Sequence, residues 1–384
     1  MDSSLSLKDN KVRPQYSWRG MLLDCSRHFF TVSEVKKFIY WMSLHKLNIF
    51  HWHLTDDEGW RFECKKYPKL TEIGSLMLEK DGTNYKPYFY TQEEMKEIVS
   101  YAKNLSVTVV PEIDIPGHSE SAFNAYPEFF CHVTIPEDSE WFNCKNFKAY
   151  CISSPSTINF LKDILAEVIE IFDSEYIHIG GDQVAPVYWE ECDKCKSFMK
   201  EKNIKNIADY QTWFSNMIAD FLHEKGRKMI GWDEILNYGL EKENAVMIWR
   251  EACIGNGATK LGHPIVMTPN DYLYFDHCQF SIHEGKEDPY SYFPGPCSTL
   301  VDVYCFNPLA LVENKDLILG VEACAWAEVM FDFNNVQWKV FPRICAFSEI
   351  AWTKQELKSL DDFTKRLTET HLKRLEKMNI NYAS

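Results

Sequence analysis

The chain has 384 residues, of which 45% are hydrophobic, 25% charged and 15% aromatic, and it carries a formal net charge of −15. That apolar content is ordinary for a globular protein with a sizeable core, whereas the acidic balance excludes a binder of nucleic acid, which needs clustered Lys and Arg. No run of about 18 apolar residues occurs, so no transmembrane helix is expected.

The first residues, MDSSLSLKDNKVRPQ, lack the apolar core of a signal peptide. Residues 1–15 are read as a linker-like remnant and 16–384 as one folded unit. From there short apolar runs alternate with amphipathic stretches. The first strand, GMLLDCS, ends at Asp24 and is followed by Arg27 and His28. A helix, TVSEVKKFIYWMSLH, opens with Thr31 and Glu34 at capping-box spacing. The second strand, LNIFHWHLT, leads to His51, His53, Asp56, Asp57 and Trp60, and a helix with the same cap at Thr91 and Glu94 follows. The third, VTVVPEID, delivers Glu112, Asp114 and His118, ahead of the helix STINFLKDILAEVIEIF. The fourth, YIHIGGD, delivers His178, Asp182 and Gln183; the fifth, KMIGWDE, delivers Trp232, Asp233 and Glu234; the sixth, AVMIWR, ends in Trp249 and Arg250. PIVMTP is the seventh, before NDYLYFD, and LILGVEACAW the eighth, before Ala327 and Glu328.

Eight strands alternating with helices predict a (β/α)8 TIM barrel. The alternative, a doubly wound open sheet, normally shows a glycine-rich phosphate loop after its first strand, and GMLLDCSRHF has none. The runs are apolar on successive residues, as in a parallel sheet covered on both faces. In a barrel the loops after the strands build one site, and here they bring acids and tryptophans together. His51 and His53 flank Trp52 and share a face, a spacing open to a metal pair with His118, His178 and Asp182 or to scaffold hydrogen bonding. Trp232, Trp249 and Trp326 lie beside charged neighbours and are expected to box the apolar face of a sugar or the methyl of an acetamide.

The 13 cysteines are an odd number. Cys192-x-x-Cys195 is open to three readings: half a zinc site, a disulfide anchor, or a pair of thiols; no second CxxC or His pair completes a metal site in the sequence. Cys131, Cys144 and Cys151 cluster in a loop-like stretch that suits a disulfide. With Asn104-Leu-Ser106, a glycosylation pattern, this favours a secreted or lysosomal-type setting.

The motifs RGMLLDCSRHF, LNIFHWHLTDDEGWR, PEIDIPGHS, HIGGDQV, GWDEI, YLYFD and AWAE occur in one order, and in them the chain resembles the catalytic domain of glycoside hydrolase family 20, the β-N-acetylhexosaminidases, from about Trp18 to about Tyr382. The resemblance implies a (β/α)8 barrel that releases terminal β-linked N-acetylglucosamine or N-acetylgalactosamine, without metal or cofactor. The small α+β domain that usually precedes such a barrel has no match in these residues. The implied mechanism is substrate-assisted: the 2-acetamido oxygen attacks the anomeric carbon and forms an oxazolinium ring. By motif, Asp182 orients the acetamide and Tyr274 donates to its oxygen, and Trp232, Trp249 and Trp326 wall the sugar. Arg27, Asp276 and Glu328 hold its hydroxyls. Asp56 and His118 support the acid, and His178 is scaffold.

The acid should stand at position 183, where the family has Glu and this chain has Gln183. An amide cannot protonate a leaving alkoxide. Because the other matched positions are filled, the expectation is an acid-deficient Glu-to-Gln exchange that retains bound substrate. The alternatives are a lectin-like pseudoenzyme using the same cleft and a metal-dependent barrel hydrolase. A chitinase-like endo-enzyme is set aside, since its run of spaced acidic residues is not found.

Overall fold

The computed structural model describes residues 13–79, 82–135, 137, 147–237, 239–280, 288–290 and 297–383. Eight parallel strands close into a barrel in chain order. They are β1 (Trp18–Asp24), β2 (Ile49–His53), β3 (Thr108–Glu112), β4 (Tyr176–His178), β5 (Lys228–Trp232), β6 (Ala245–Ile248), β7 (Ile265–Met267) and β8 (Ile318–Ala325). All eight runs read from the sequence are strands. The helices around them include α1 (Val32–Leu44), α2 (Gln92–Asn104), α3 (Pro155–Ile171), α4 (Ile207–Glu224), α5 (Ile254–Leu261), α6 (Leu300–Cys305) and α7 (Arg343–Trp352). Both predicted capping boxes form: Thr31 and Thr91 each accept from the N–H three residues on, and Glu34 and Glu94 reach back to the cap.

The alternation fails once. Between β5 and β6 the described residues form a 3₁₀ turn, Asp233–Ile235, and no α-helix. The 12 residues between these strands are too few for a helix plus two connections of ordinary length, and Asp233 is committed to the next strand end, where it accepts the backbone N–H groups of Trp249 (3.0 Å) and Arg250 (3.2 Å).

The two-residue period of the strands separates two cores. Outward residues such as Met21, Leu23, Phe50, Trp52, Val109 and Ile177 join the large apolar layer between barrel and helices. Inward residues, among them Leu22, Val110, Ile230, Trp232, Met247, Val266 and Cys324, fill the barrel. The same period points Asp24, His53, Glu112 and His178 inward, and the strand register sets them side by side: Asp24 against His53, His53 against Glu112, Glu112 against His178. These four polar side chains therefore meet at one level inside the barrel.

Every described cysteine is a thiol, which corrects the expected disulfide. Cys131 and Cys151 do meet, but around a shared neighbour: the Cys195 sulfur lies 3.6 Å from Cys131 and 3.9 Å from Cys151, well beyond the roughly 2.0 Å of a disulfide. Cys144 lies outside the described residues.

Gly320 of β8 faces Trp18 across the β1–β8 seam, where an added Cβ would stand 1.7 Å from the Trp18 carbonyl oxygen. Backbone cannot swing aside as a side-chain tip can. Gly320→Ala is expected to cost at least about 1–3 kcal/mol, read as a lower midpoint in chemical denaturation. Gly257→Ala in α5, where a Cβ meets nothing within 4 Å, should instead stabilise by roughly 0.5–1 kcal/mol.

Candidate active site

A cavity of ≈ 240 Å³ opens at the carboxyl ends of the strands, and its walls include Arg27, Asp56, Asp182, Gln183, Trp249, Tyr274, Asp276, Trp326 and Glu328. A larger hollow of ≈ 540 Å³, lined by Trp18, Thr108 and Lys228, lies at the opposite, amino-terminal ends of the strands and holds no comparable group of acids. The site is therefore the smaller cavity.

The fourth strand end is built by an unusual turn. Gly180, Gly181 and Gln183 have φ of +65°, +94° and +49°. A Cβ on Gly180 would sit 1.8 Å from the Asp114 carboxylate, and one on Gly181 would sit 2.5 Å from Ile235. Only glycine fits both places. The turn is fixed by the Gly181 N–H donating to Asp114 (3.1 Å) and by the Gln211 amide donating to the Gly181 carbonyl. It leaves Asp182 half-buried and Gln183 exposed on the cavity wall. Asp114, which had no role in the sequence reading beyond its place in PEIDIPGHS, thus shapes the turn and also lines the cavity.

Behind Asp182 runs a chain of alternating acids and imidazoles. His118 Nε2 stands 3.2 Å from Asp182, within ion-pair reach though off-line for a hydrogen bond, and its Nδ1 is 2.9 Å from Asp56. Asp56 also meets His53 Nε2 at 2.9 Å, and His53 Nδ1 makes a short contact with Glu112. Glu112 lies 3.2 Å from His51 Nε2, and His51 Nδ1 is 2.7 Å from Glu322. Glu322 finally accepts the Trp18 indole N–H at 2.8 Å, at the far end of the barrel. Burial works against each charge, yet the partners prevail: Arg27 and His118 hold Asp56 well below the usual carboxylate range, and His53, His178 and His51 do so for Glu112. Asp56 and Asp182 raise His118 far above an ordinary histidine, and Glu322 and Glu112 lift His51 to about 9. His178 differs. Burial lowers it, and its Nδ1 lies 3.0 Å from both the Gly180 N–H and the Glu112 carboxylate, so the ring serves as scaffold between the glycine turn and the network. With His51 and His53 each set between two acids, the ring nitrogens offered for a metal pair already face carboxylates.

On the opposite wall Trp249 and Tyr274 stack at 6.1 Å and 13°, and Tyr274 meets Trp326 at 5.9 Å. Trp249 is anchored by its indole N–H, which donates to Glu234 at 2.9 Å. Trp232 does not line the cavity. It lies beneath, 1% exposed, donating to Glu112 at 2.8 Å and packing 5.7 Å from Trp326. The sequence could place Trp232 at a strand end but could not show that the barrel closes over it. Arg27 reaches Asp56 (2.7 Å), Glu58 (3.2 Å), Asp24 (3.3 Å) and Glu328 (3.9 Å), with its guanidinium 5.3 Å from the Trp326 ring. Asp276 is held through its backbone carbonyl by the buried Lys339 ammonium at 2.7 Å. Its own carboxyl is pushed up to about 7 by burial and by Glu328. Asn270 and His277 complete the wall. Both sit in or beside NDYLYFD, a stretch in which sequence reading singled out Tyr274 and Asp276.

Residues 16–355 match the family model for the glycosyl hydrolase family 20 catalytic domain. A β-hexosaminidase of Porphyromonas gingivalis is 37% identical over 97% of this chain and 47% of its own length, and one of Vibrio furnissii is 33% identical over 88% and 57%. The chain thus spans about half the length of these relatives. The exo-β-N-acetylglucosaminidase of Vibrio harveyi, solved with N-acetylglucosamine, superposes with a TM-score of 0.87 at 29% identity, covering 97% of this chain and 59% of that one. The β-N-acetylhexosaminidase of Bacteroides fragilis gives 0.83 at 34%, covering 97% and 73%.

The sign of the pH effect follows from His51. Its folded value of about 9 exceeds the unfolded value near 6.5, so its contribution is complete below about pH 6.5 and is lost as pH rises through 9. The depressed Glu112 acts at the other end: its contribution is present above about pH 4.3 and is lost as pH falls through its low folded value. Glu322→Gln should flatten the alkaline loss between pH 6.5 and 9 in thermal melts. It should also cost about 3–5 kcal/mol near neutrality, because the imidazolium is left partly unpaired in the core. Equal alkaline slopes in both proteins would show that His51 is not the titrating group.

Proposed function

The chain belongs to glycosyl hydrolase family 20, and from that premise we propose that it is built as an exo-acting β-N-acetylhexosaminidase. Its substrates would be glycans ending in β-linked N-acetylglucosamine or N-acetylgalactosamine, cleaved with retention through an oxazolinium intermediate. The observation that carries the reading is one cavity with Asp182 on one wall and the Trp249–Tyr274–Trp326 aromatic group on the other. Its ≈ 240 Å³ is below the roughly 300–1,000 Å³ of drug-sized sites, which suits a single sugar ring at a chain end.

In this reading the aromatic rings take the apolar sugar face and the acetamide methyl. Asp182 accepts the acetamide N–H and steadies the positive charge that develops as the ring closes. Tyr274 is close enough to Asp182 that burial and then nearby charges, Asp182 among them, raise its phenol. It stays protonated and donates to the acetamide oxygen, holding the nucleophile in line. The charged His118, fixed by Asp56, stands against Asp182 and keeps that carboxylate aimed. Arg27, Asp276 and Glu328 supply donors and acceptors to the ring hydroxyls. The proton for the leaving oxygen belongs to position 183, and Gln183 has none to give. The chain as written is read as binding its substrate and turning it over slowly.

A second reading rests on the same residue: a cleft with an amide in place of its acid is also a sugar-binding site without turnover. No helix among the described residues is long and apolar enough to cross a membrane. The sequence pattern at the exposed Asn104 supports a secreted or lysosomal-type setting, while the disulfide once counted towards it is not formed.

Gln183→Glu is expected to raise kcat on N-acetylglucosaminides with poor leaving groups by about 10²- to 10⁴-fold, with a smaller gain on activated aryl glycosides. Asp182→Asn in the Gln183→Glu background should then abolish the gained activity. Unchanged sugar binding with no turnover after Gln183→Glu would overturn the hydrolase reading in favour of the lectin-like one.

A further inference from the structure

Cys131, Cys151, Cys192 and Cys195 bring their sulfurs within 4.8 Å of one another, in a place no step of the glycosidase reading uses. We propose that they bind one zinc ion as a structural tetrathiolate site. Sulfurs at the corners of a tetrahedron with Zn–S bonds of about 2.3 Å are about 3.8 Å apart. The Cys195 sulfur lies 3.6 Å from Cys131 and 3.9 Å from Cys151. A pairwise disulfide arrangement would bring sulfurs together two by two, whereas here Cys195 stands at comparable distance from two of them.

The surrounding chain presents these side chains for ligation. A backbone bridge between Phe130 and Tyr150 sets Cys131 and Cys151 on neighbouring segments, with the Cys131 N–H donating to Ala149 (3.2 Å) and the Cys151 N–H to Phe129 (2.9 Å). Cys192 is the N-cap of the helix Asp193–Glu201, and Cys195 lies in its first turn, so one short segment presents both side chains. An independent observation comes from Tyr210. Its ring is fully buried and its hydroxyl, which makes no hydrogen bond of good geometry, is placed against the Cys195 sulfur and Ser153. A phenol O–H in that place is a donor to a zinc-bound thiolate, the kind of supporting contact that metal sites need. The four cysteines are at most 8% exposed as residues, and neither a carboxylate nor an imidazole enters the group. Soft sulfur ligands with tetrahedral spacing select zinc over the hard divalent cations. Binding forms four S–Zn bonds and releases the four thiol protons to solvent, with no change of oxidation state.

The ion would tie together two excursions from the barrel. One follows β3 and carries Asp114 and His118 before it reaches Cys131 and Cys151; the other follows β4 and carries Asp182 and Gln183 before Cys192 and Cys195. Zinc is thus a clamp on the loops that shape the sugar cavity and stands apart from the reacting atoms.

Elemental analysis of the purified chain, prepared with reductant and without chelator, is expected to give on the order of one zinc per chain. Cys131→Ser/Cys195→Ser should lose it and melt at lower temperature, while Cys253→Ser, which alters an exposed thiol elsewhere, keeps it. Should the double variant fail to fold, the unaltered protein decides the matter: cobalt exchanged into it should show the sulfur-to-metal charge-transfer bands of a tetrahedral thiolate centre. Three results overturn the proposal: metal-free protein whose four cysteines map as two disulfides; metal-free protein with four free thiols after exposure to zinc; or zinc retained by the double variant. None depends on glycosidase activity.

Discussion

The buried run Glu322–His51–Glu112–His53–Asp56–His118–Asp182 is the constraint from which the rest of the site follows. An isolated carboxylate inside a barrel would take up a proton, and an isolated imidazolium would lose one. Set alternately, acids and imidazoles act on one another against burial: Asp56 and Glu112 are held low, and His51, His53 and His118 are raised. The run therefore stands or falls as a unit, and its geometry is fixed by several strands at once. Asp182 is its last member, the one facing the cavity. Its position is inherited from β2, β3 and β8, and not from its own glycine turn alone.

The aromatic wall depends on the same network. Trp232 is pinned by Glu112 from below and carries Trp326; Trp326 packs against Tyr274, and Tyr274 stacks on Trp249. Asp233 and Glu234 fasten Trp249 by its backbone N–H and indole. A substitution at Glu112, which touches no substrate in the proposed mechanism, would loosen both walls of the cavity together. Such second-layer residues are held by chemistry as strict as that of the residues that meet the sugar.

The periodic features were readable from the chain alone. Short apolar runs ending in polar clusters gave the eight strands, and the order Thr31–Glu34 or Thr91–Glu94 gave helix starts, because these signals are local. Residues after strand ends gave most of the cavity wall, since a parallel barrel gathers those ends by its topology. What the chain did not reveal depends on distances between segments. Nothing at His51 announces Glu322, 271 positions away. Cys131 and Cys195 are separated by 64 positions, so a CxxC without a second CxxC read as incomplete, although the fold supplies its partners from a loop. Trp232 looked like a wall residue because closure of the barrel above it is a tertiary event. The missing helix after β5 is a matter of connection length and of Asp233 serving the neighbouring strand, which periodicity does not encode.

Position 183 shows how the surroundings define a role even when the side chain departs from it. Carboxyl groups near this cavity are driven towards their protonated forms: Asp114 well above the ordinary range by burial and then Asp182, Glu234 to about 8 by burial and then Asp182, and Asp276 to about 7 by burial and then Glu328. A glutamic acid placed among them would be subject to the same crowding, reduced by the exposure of position 183 to water. Glutamine has the shape of that protonated acid and its absence of charge, so it fits the left-handed turn at φ +49° without disturbing Asp182, His118 or Asp114. On the proposed function, the amide at position 183 keeps the shape of the acid and lacks its transferable proton, so the loss falls on proton transfer and not on the packing of the cavity.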